Sequence, residues 1–178
     1  MRAATAAAVE ATSLRELMRR YASGVSVVTA PPSAGRVVGT TITSFVSISI
    51  DPDVVAVSLH SGGRTARAVG AAGVFAVNVL GAAQIDLARA FAAPGAARPD
   101  LTAHETMRDV PVGLGNVGFV LCETISVTPV VDHDVVMARV IASRATTAEP
   151  LVYFDRGYRR IAEATVPPDD VRRTSERS

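Results

Sequence analysis

Apolar and hydroxyl side chains alternate along Val46-Ser47-Ile48-Ser49-Ile50. That period of two predicts a strand with Val46, Ile48 and Ile50 on a buried face and the serines on the other. Immediately upstream, Gly39-Thr40-Thr41-Ile42-Thr43-Ser44-Phe45 threads more hydroxyls through strand-forming residues. Val25–Thr29 and Arg36–Ile42 predict a hairpin across the break at Pro31-Pro32-Ser33-Ala34-Gly35. Beyond the Asp51-Pro52-Asp53 turn, Val54–Leu59 reads as a strand buried on both faces, and Val74–Leu80 as another interrupted by Asn78. Phe119–Val127 and Asp134–Ser143 are the last long strand-like runs, split by Pro129 and Asp132-His133-Asp134. Leu151–Phe154 and Tyr158, around the Asp155-Arg156-Gly157 turn, close the pattern as a hairpin-like pair.

Helical spacing is confined to three short stretches. Leu14, Leu17, Met18 and Tyr21 repeat on one face behind a capping box, Ser13 with Glu16, and Gly24 offers a left-handed stop. An Ala-rich helical stretch follows Thr65 and runs through Ala72, and Gln84–Ala92 predicts a third helix with Ile85, Leu87, Ala88 and Phe91 inward. Three or four strands precede the second helix, which excludes a parallel βαβ repeat at this end. The order suits a mainly β fold, a small antiparallel barrel of Greek-key type with short flanking helices. The chain reads as one domain over residues 13–164, with a mobile lead-in over 1–12, a loose tail over 165–178, and a lid or subunit-contact loop at Pro94–Asp100.

Composition narrows the partners. With 178 residues, 48% of them hydrophobic, and a net charge of +1, the chain can bury a core and carries no field that would steer nucleic acid. All 18 basic residues are Arg. The single cysteine, Cys122, excludes an intrachain disulfide and fits a reducing compartment. Glu10 precedes any long apolar run, so there is no secretory signal, and no apolar segment is long enough to span a bilayer. A cytoplasmic protein acting on small molecules or proteins is the expectation.

The candidate chemistry is polar and scattered. The hydroxyl run at Thr40–Ser44 is either a ligand cradle on a sheet rim or an edge strand with a solvated face. Gly39 there permits a close backbone approach. Ser61-Gly62-Gly63-Arg64-Thr65 leads into a helix and presents free amides, a guanidinium fork and a hydroxyl, which suits a phosphate or simply caps the helix. Asn78 must find a neighbouring backbone or a ligand. Gly113-Leu114-Gly115-Asn116-Val117-Gly118 matches a dinucleotide-binding string, but no helix follows it, so that reading is refused. His60, His104 and His133 are too scattered for a metal site, and Cys122 reads as core. His133, between Asp132 and Asp134 at the head of a strand, is either a rim binding residue or a solvated turn histidine.

Several strings occur together in a recognisable order: Tyr21-Ala22-Ser23-Gly24-Val25-Ser26-Val27-Val28-Thr29, Gly39 to Phe45, Ser47-x-Ser49-x-Asp51-Pro52, Phe75-Ala76-Val77-Asn78-Val79-Leu80, Phe91-Ala92, Asp132-His133 and Leu151-Val152-Tyr153. From Leu14 to Ile161 the chain resembles the flavin reductase family, the NAD(P)H-dependent partners of two-component flavin monooxygenases. The resemblance implies a split β-barrel that binds FMN or FAD, uses NADH or NADPH as hydride donor, and forms a homodimer with the flavin near the subunit interface. It implies that Thr41, Ile42, Thr43 and Ser44 line the isoalloxazine and ribityl chain, that Ser61, Arg64 and Thr65 hold the phosphate, and that Asn78 and Tyr158 touch the flavin. His133 matches the family's Gly-Asp-His histidine, associated with nicotinamide binding. Thr40 departs from the usual apolar residue, and Val131 and Ala138 stand where the family has glycine. Those departures bear on the nicotinamide side, so the alternatives are a flavin-binding split barrel without reductase activity and a related FMN-dependent oxidase.

Overall fold

The computed structural model describes residues 13–33, 35–93 and 104–161. The predicted lead-in, the Pro94–Asp100 loop and the C-terminal tail lie outside these residues. The first half of the chain comprises α1 (Leu14–Arg19), β1 (Ser23–Gly24), β2 (Ser26–Ser33), β3 (Arg36–Ile42), β4 (Val46–Ile50), β5 (Asp53–His60), α2 (Arg64–Ala72) and β6 (Val74–Val79). Then follow α3 (Ile85–Ala92), β7 (Thr106–Met107), β8 (Val110–Pro111), β9 (Gly118–Val130), β10 (His133–Ala145), β11 (Val152–Phe154) and β12 (Gly157–Arg159).

Seven strands form one sheet in the order β3-β2-β6-β9-β10-β5-β4, with every neighbouring pair antiparallel. Its two edges, β3 and β4, are consecutive in the chain and separated only by residues 43–45. Four Cα steps reach about 15 Å. Six interstrand gaps laid flat would need about 29 Å. The sheet therefore curls until its edges approach, and because no ladder joins β3 to β4 it remains open there. This is the mainly β, barrel-like class expected, with the opening at the hydroxyl run.

Strand alternation fills both sides of the curl. Val28 and Val77 point into an interior cluster with Ile42, Val55, Val57, Leu59, Phe75, Cys122 and Val136, closed by Ala66 and Val69 of α2. Val27 faces the other way, into a cluster with Leu80, Leu151 and the α3 residues Ala88 and Phe91. Burial pushes the Cys122 thiol up to about 12, so it is an inert core group. Gly39 does permit a close approach, but to protein: a Cβ there would lie 2.7 Å from the Val28 carbonyl oxygen and 2.9 Å from Phe91 Cε1. Gly115 of the glycine-rich string likewise packs against the Val79 backbone, in a loop.

Three local expectations are corrected. Ser13 does cap α1, its Oγ accepting from the Glu16 amide at 3.3 Å, but the helix ends at Arg19 and Gly24 belongs to β1. The Arg19 guanidinium grips Asp155 at 2.8 Å and its carbonyl accepts from the Asp155 amide, which anchors the helix end while Leu14, Leu17, Met18 and Tyr21 stay exposed. Pro129 lies inside β9 rather than ending it, and the hairpin turns at Val131-Asp132. On β4 the residues predicted to share a buried face are bare, Val46, Ile48 and Ile50 being 50%, 51% and 78% exposed: β4 is an edge strand with nothing packed over it in the single chain, and a β-bulge between Ser47 and Ser49 breaks the alternation. No helix among the described residues is long and apolar enough to cross a membrane.

Candidate functional site

The opening between β3 and β4 is a cavity of ≈ 440 Å³. Thr40, Thr41, Ile42, Thr43 and Ser44 form one wall, Ser58, Leu59 and His60 of β5 another, and His133, Tyr153 and Tyr158 the rim. The hydroxyls divide their work. Ser44 bridges to β5, its Oγ donating to the Ser58 carbonyl at 3.0 Å and accepting from the Ser58 amide at 3.1 Å. Thr41 Oγ1 donates to the Ala88 carbonyl of α3 at 2.7 Å. These two hold the wall in place, while Thr40 and Thr43 make no side-chain hydrogen bond among the described residues.

His133 opens β10 directly opposite His60 in the β5 ladder. Their rings meet edge to face with centroids 5.6 Å apart. The Asp132 carboxylate sits 2.8 Å from His133 Nδ1, and since a carboxylate only accepts, that nitrogen carries the hydrogen and Nε2 is left for a ligand. The same bond holds the Asp132 carboxyl below the usual carboxylate range. Burial, with Tyr153 adding to it, raises the Tyr158 hydroxyl's pKa, and the two tyrosine rings stack edge to face at 5.5 Å.

A second hollow of ≈ 350 Å³ adjoins the first and shares Thr40, Leu59, His60 and Ala92 with it. Gly63, Arg64 and Thr65 line its floor. Gly63 is the N-cap of α2 and supplies no side chain to its first turn, so the opening amides of the helix face the hollow without a capping partner. Among the described residues Arg64 has no ion pair.

Two expected site residues are placed elsewhere. Ser61 lines neither hollow; its Oγ donates to Asp134 Oδ1 at 2.9 Å and braces the start of β10. Asn78 is 0% exposed and satisfied by protein: its amide donates to the Val27 carbonyl and Thr29 Oγ1, and its Oδ1 accepts from the Leu114 amide at 3.1 Å. Conversely His60 lines both hollows, although no local motif marks it as a site residue. Only the strand register reveals it, since nothing near it in sequence announces its pairing with His133.

The described residues thus form an open antiparallel barrel with an elongated cleft, hydroxyl-walled at one end and bordered by Arg64 at the other. Residues 18–162 match the family model described as "Flavin reductase like domain", and the chain belongs to that family. A probable flavin reductase of Rhizobium meliloti is 32% identical over 155 residues, 86% of this chain, which spans only 50% of that protein's length. An NADH:riboflavin 5'-phosphate oxidoreductase of Streptomyces pristinaespiralis is 33% identical over 161 residues, covering 85% of this chain and 88% of its own. The solved structure of the styrene monooxygenase flavin reductase from Pseudomonas putida S12 superposes with a TM-score of 0.75 at 31% identity, over 86% of this chain and 99% of that one.

Proposed function

We propose that this chain is an NADH-dependent flavin reductase, with the cleft at the sheet opening as its flavin site. The observation that carries the reading is the joining of the two hollows: a wall of strand backbone and hydroxyls runs without interruption into an uncapped helix N-terminus beside an unpaired guanidinium. That donor set fits a flavin nucleotide, with apolar and hydroxyl surface for the ring and ribityl chain and cationic surface for the phosphate. Thr41, Ile42, Thr43 and Ser44 would bear on the ring, and Arg64 and Thr65 on the phosphate. When bound, the flavin supplies the redox chemistry, accepting at N5 the hydride from nicotinamide C4.

The protein's own part is positional. His133, its Nδ1 tied to Asp132, would offer Nε2 to the nicotinamide carboxamide and so help position that ring. Ser44, fixed to β5, keeps the ring wall from collapsing into the gap. The bare apolar face of β4 supports a homodimer, and a separate flavin-dependent monooxygenase is the natural consumer of the reduced flavin.

The test is an anaerobic titration with NADH followed at the flavin absorbance band. Bleaching with one equivalent of NADH per flavin is expected. In His133→Ala, turnover falls on the order of ten- to hundred-fold while flavin affinity changes little. Flavin binding without bleaching by NADH would select a non-reductase flavin protein instead.

A further inference from the structure

We propose that His60 is a positioning residue for the hydride transfer, its ring holding the His133 imidazole in the orientation from which it meets the nicotinamide. The proposal rests on the His133 reading above and concerns what keeps that ring in place.

One hydrogen bond does not orient an imidazole. The Asp132 carboxylate fixes His133 Nδ1 at 2.8 Å, but the ring can still roll about the line of that bond, and Asp132 is itself exposed. His60 supplies the second contact. It stands opposite His133 in the ladder between β5 and β10, and the two rings meet with centroids 5.6 Å apart and planes at 77°. In that T-shaped geometry the positive edge of one ring faces the π cloud of the other. A bond at Nδ1 and a ring contact together leave Nε2 one direction in which to point.

The surroundings fix His60 in turn. Its carbonyl accepts from the Gly63 amide at 2.8 Å, the Ser61 amide donates to the Asp132 carbonyl at 3.0 Å, and Ser61 Oγ donates to Asp134 Oδ1 at 2.9 Å. These bonds lace the end of β5 to the head of β10, so the two histidines share one frame. Gly62 makes room for the ring, since a Cβ there would lie 3.2 Å from His60 Cε1. The Asp132 carboxyl, held below the usual carboxylate range by the bond from His133, also feels the His60 imidazole. Core packing does not account for the contact: His60 is exposed and His133 only half-buried. The competing role for His60 is a ligand contact of its own, because it also lines the phosphate hollow.

Two measurements on the full chain separate these roles: NMR relaxation of the His133 ring carbons without ligand, and steady-state NADH oxidation with added flavin. In His60→Ala the His133 ring is expected to lose order. With it, kcat/KM for NADH should drop about three- to ten-fold, the scale of one edge-to-face contact, while flavin affinity stays at the parent value. His60→Phe, which keeps a ring and loses the nitrogens, should restore most of both. Added to His133→Ala, His60→Ala should cost nothing further, because the ring it holds is already gone. Circular dichroism should report an unchanged fold in every variant. A His133 ring equally ordered in His60→Ala overturns the proposal. So does a further loss in the double variant, or weakened flavin binding in His60→Ala, either of which assigns His60 a direct ligand contact. If His133→Ala leaves NADH turnover at the parent value, the His133 reading fails and this proposal falls with it, an outcome visible in that variant alone.

Discussion

Val131 occupies the first loop position of the β9–β10 hairpin with φ at 57° and its side chain 100% exposed. A β-branched residue in the left-handed region strains its Cβ against the backbone, and here no packing offsets the strain. Glycine at this place removes about 1–2 kcal/mol of strain and adds about 0.4–1 kcal/mol of unfolded-state entropy. Val131→Gly is therefore expected to stabilise the chain by roughly 1 kcal/mol, raising the thermal midpoint by about 2–4 °C in a calorimetric scan. The departure from the family's glycine was legible in the sequence; the positive φ that gives it a cost was not. His133 was legible too, through its flanking aspartates, yet of these only Asp132 bonds to its ring, while Asp134 turns to Ser61. Alternation along a strand separates neighbours to opposite sides, so adjacency in sequence did not decide which carboxylate pairs with the imidazole.

At the scale of elements, periodicity located the long strands and α3 well, because each buries an apolar set against a neighbour. It located Asn78 inside β6 and stated that its amide needs partners, but partner choice depends on which strands flank β6. β2 on one side and the Leu114 loop meet all of that need. Asn78→Leu should then cost about 2–4 kcal/mol in urea unfolding, since it leaves the buried Leu114 amide and Val27 carbonyl without that partner. Flavin affinity in the folded variant should stay near the parent value; a selective loss of affinity with stability intact would restore Asn78 to the flavin site. The β4 prediction failed for the opposite reason. A β-bulge between Ser47 and Ser49 breaks its alternation, and period is in any case silent on what covers a face.

For the whole molecule, β4 is not alone in showing apolar side chains: the far half of β9 leaves Ile125 and Val127 exposed, and β10 leaves Ile141 partly so. The homodimer proposed above would cover apolar strand surface of this kind. Sedimentation velocity should find a dimer, and Ile48→Arg, at the middle of the face, should shift it toward monomer. A monomeric parent protein would remove the case for a shared interface. The barrel-like class was readable from strand count and order, whereas the identity of the two unpaired edges was not, since it emerges only from the pairing of β2 with β6 and of β5 with β10.

The joint at residues 43–45 has one more consequence. It is a strap of fixed reach between two edges that never zip together, so the gap it spans is set by how many residues it contains more than by what they are. Apart from Ser44, whose hydroxyl ties the strap to β5, exchanging a side chain there retunes the lining of the cleft and leaves its width alone. Deleting one residue would drag the edges inward and pinch the ring wall shut; inserting one would let it sag. Beyond Ser44, change in this stretch should be borne more easily in kind than in length.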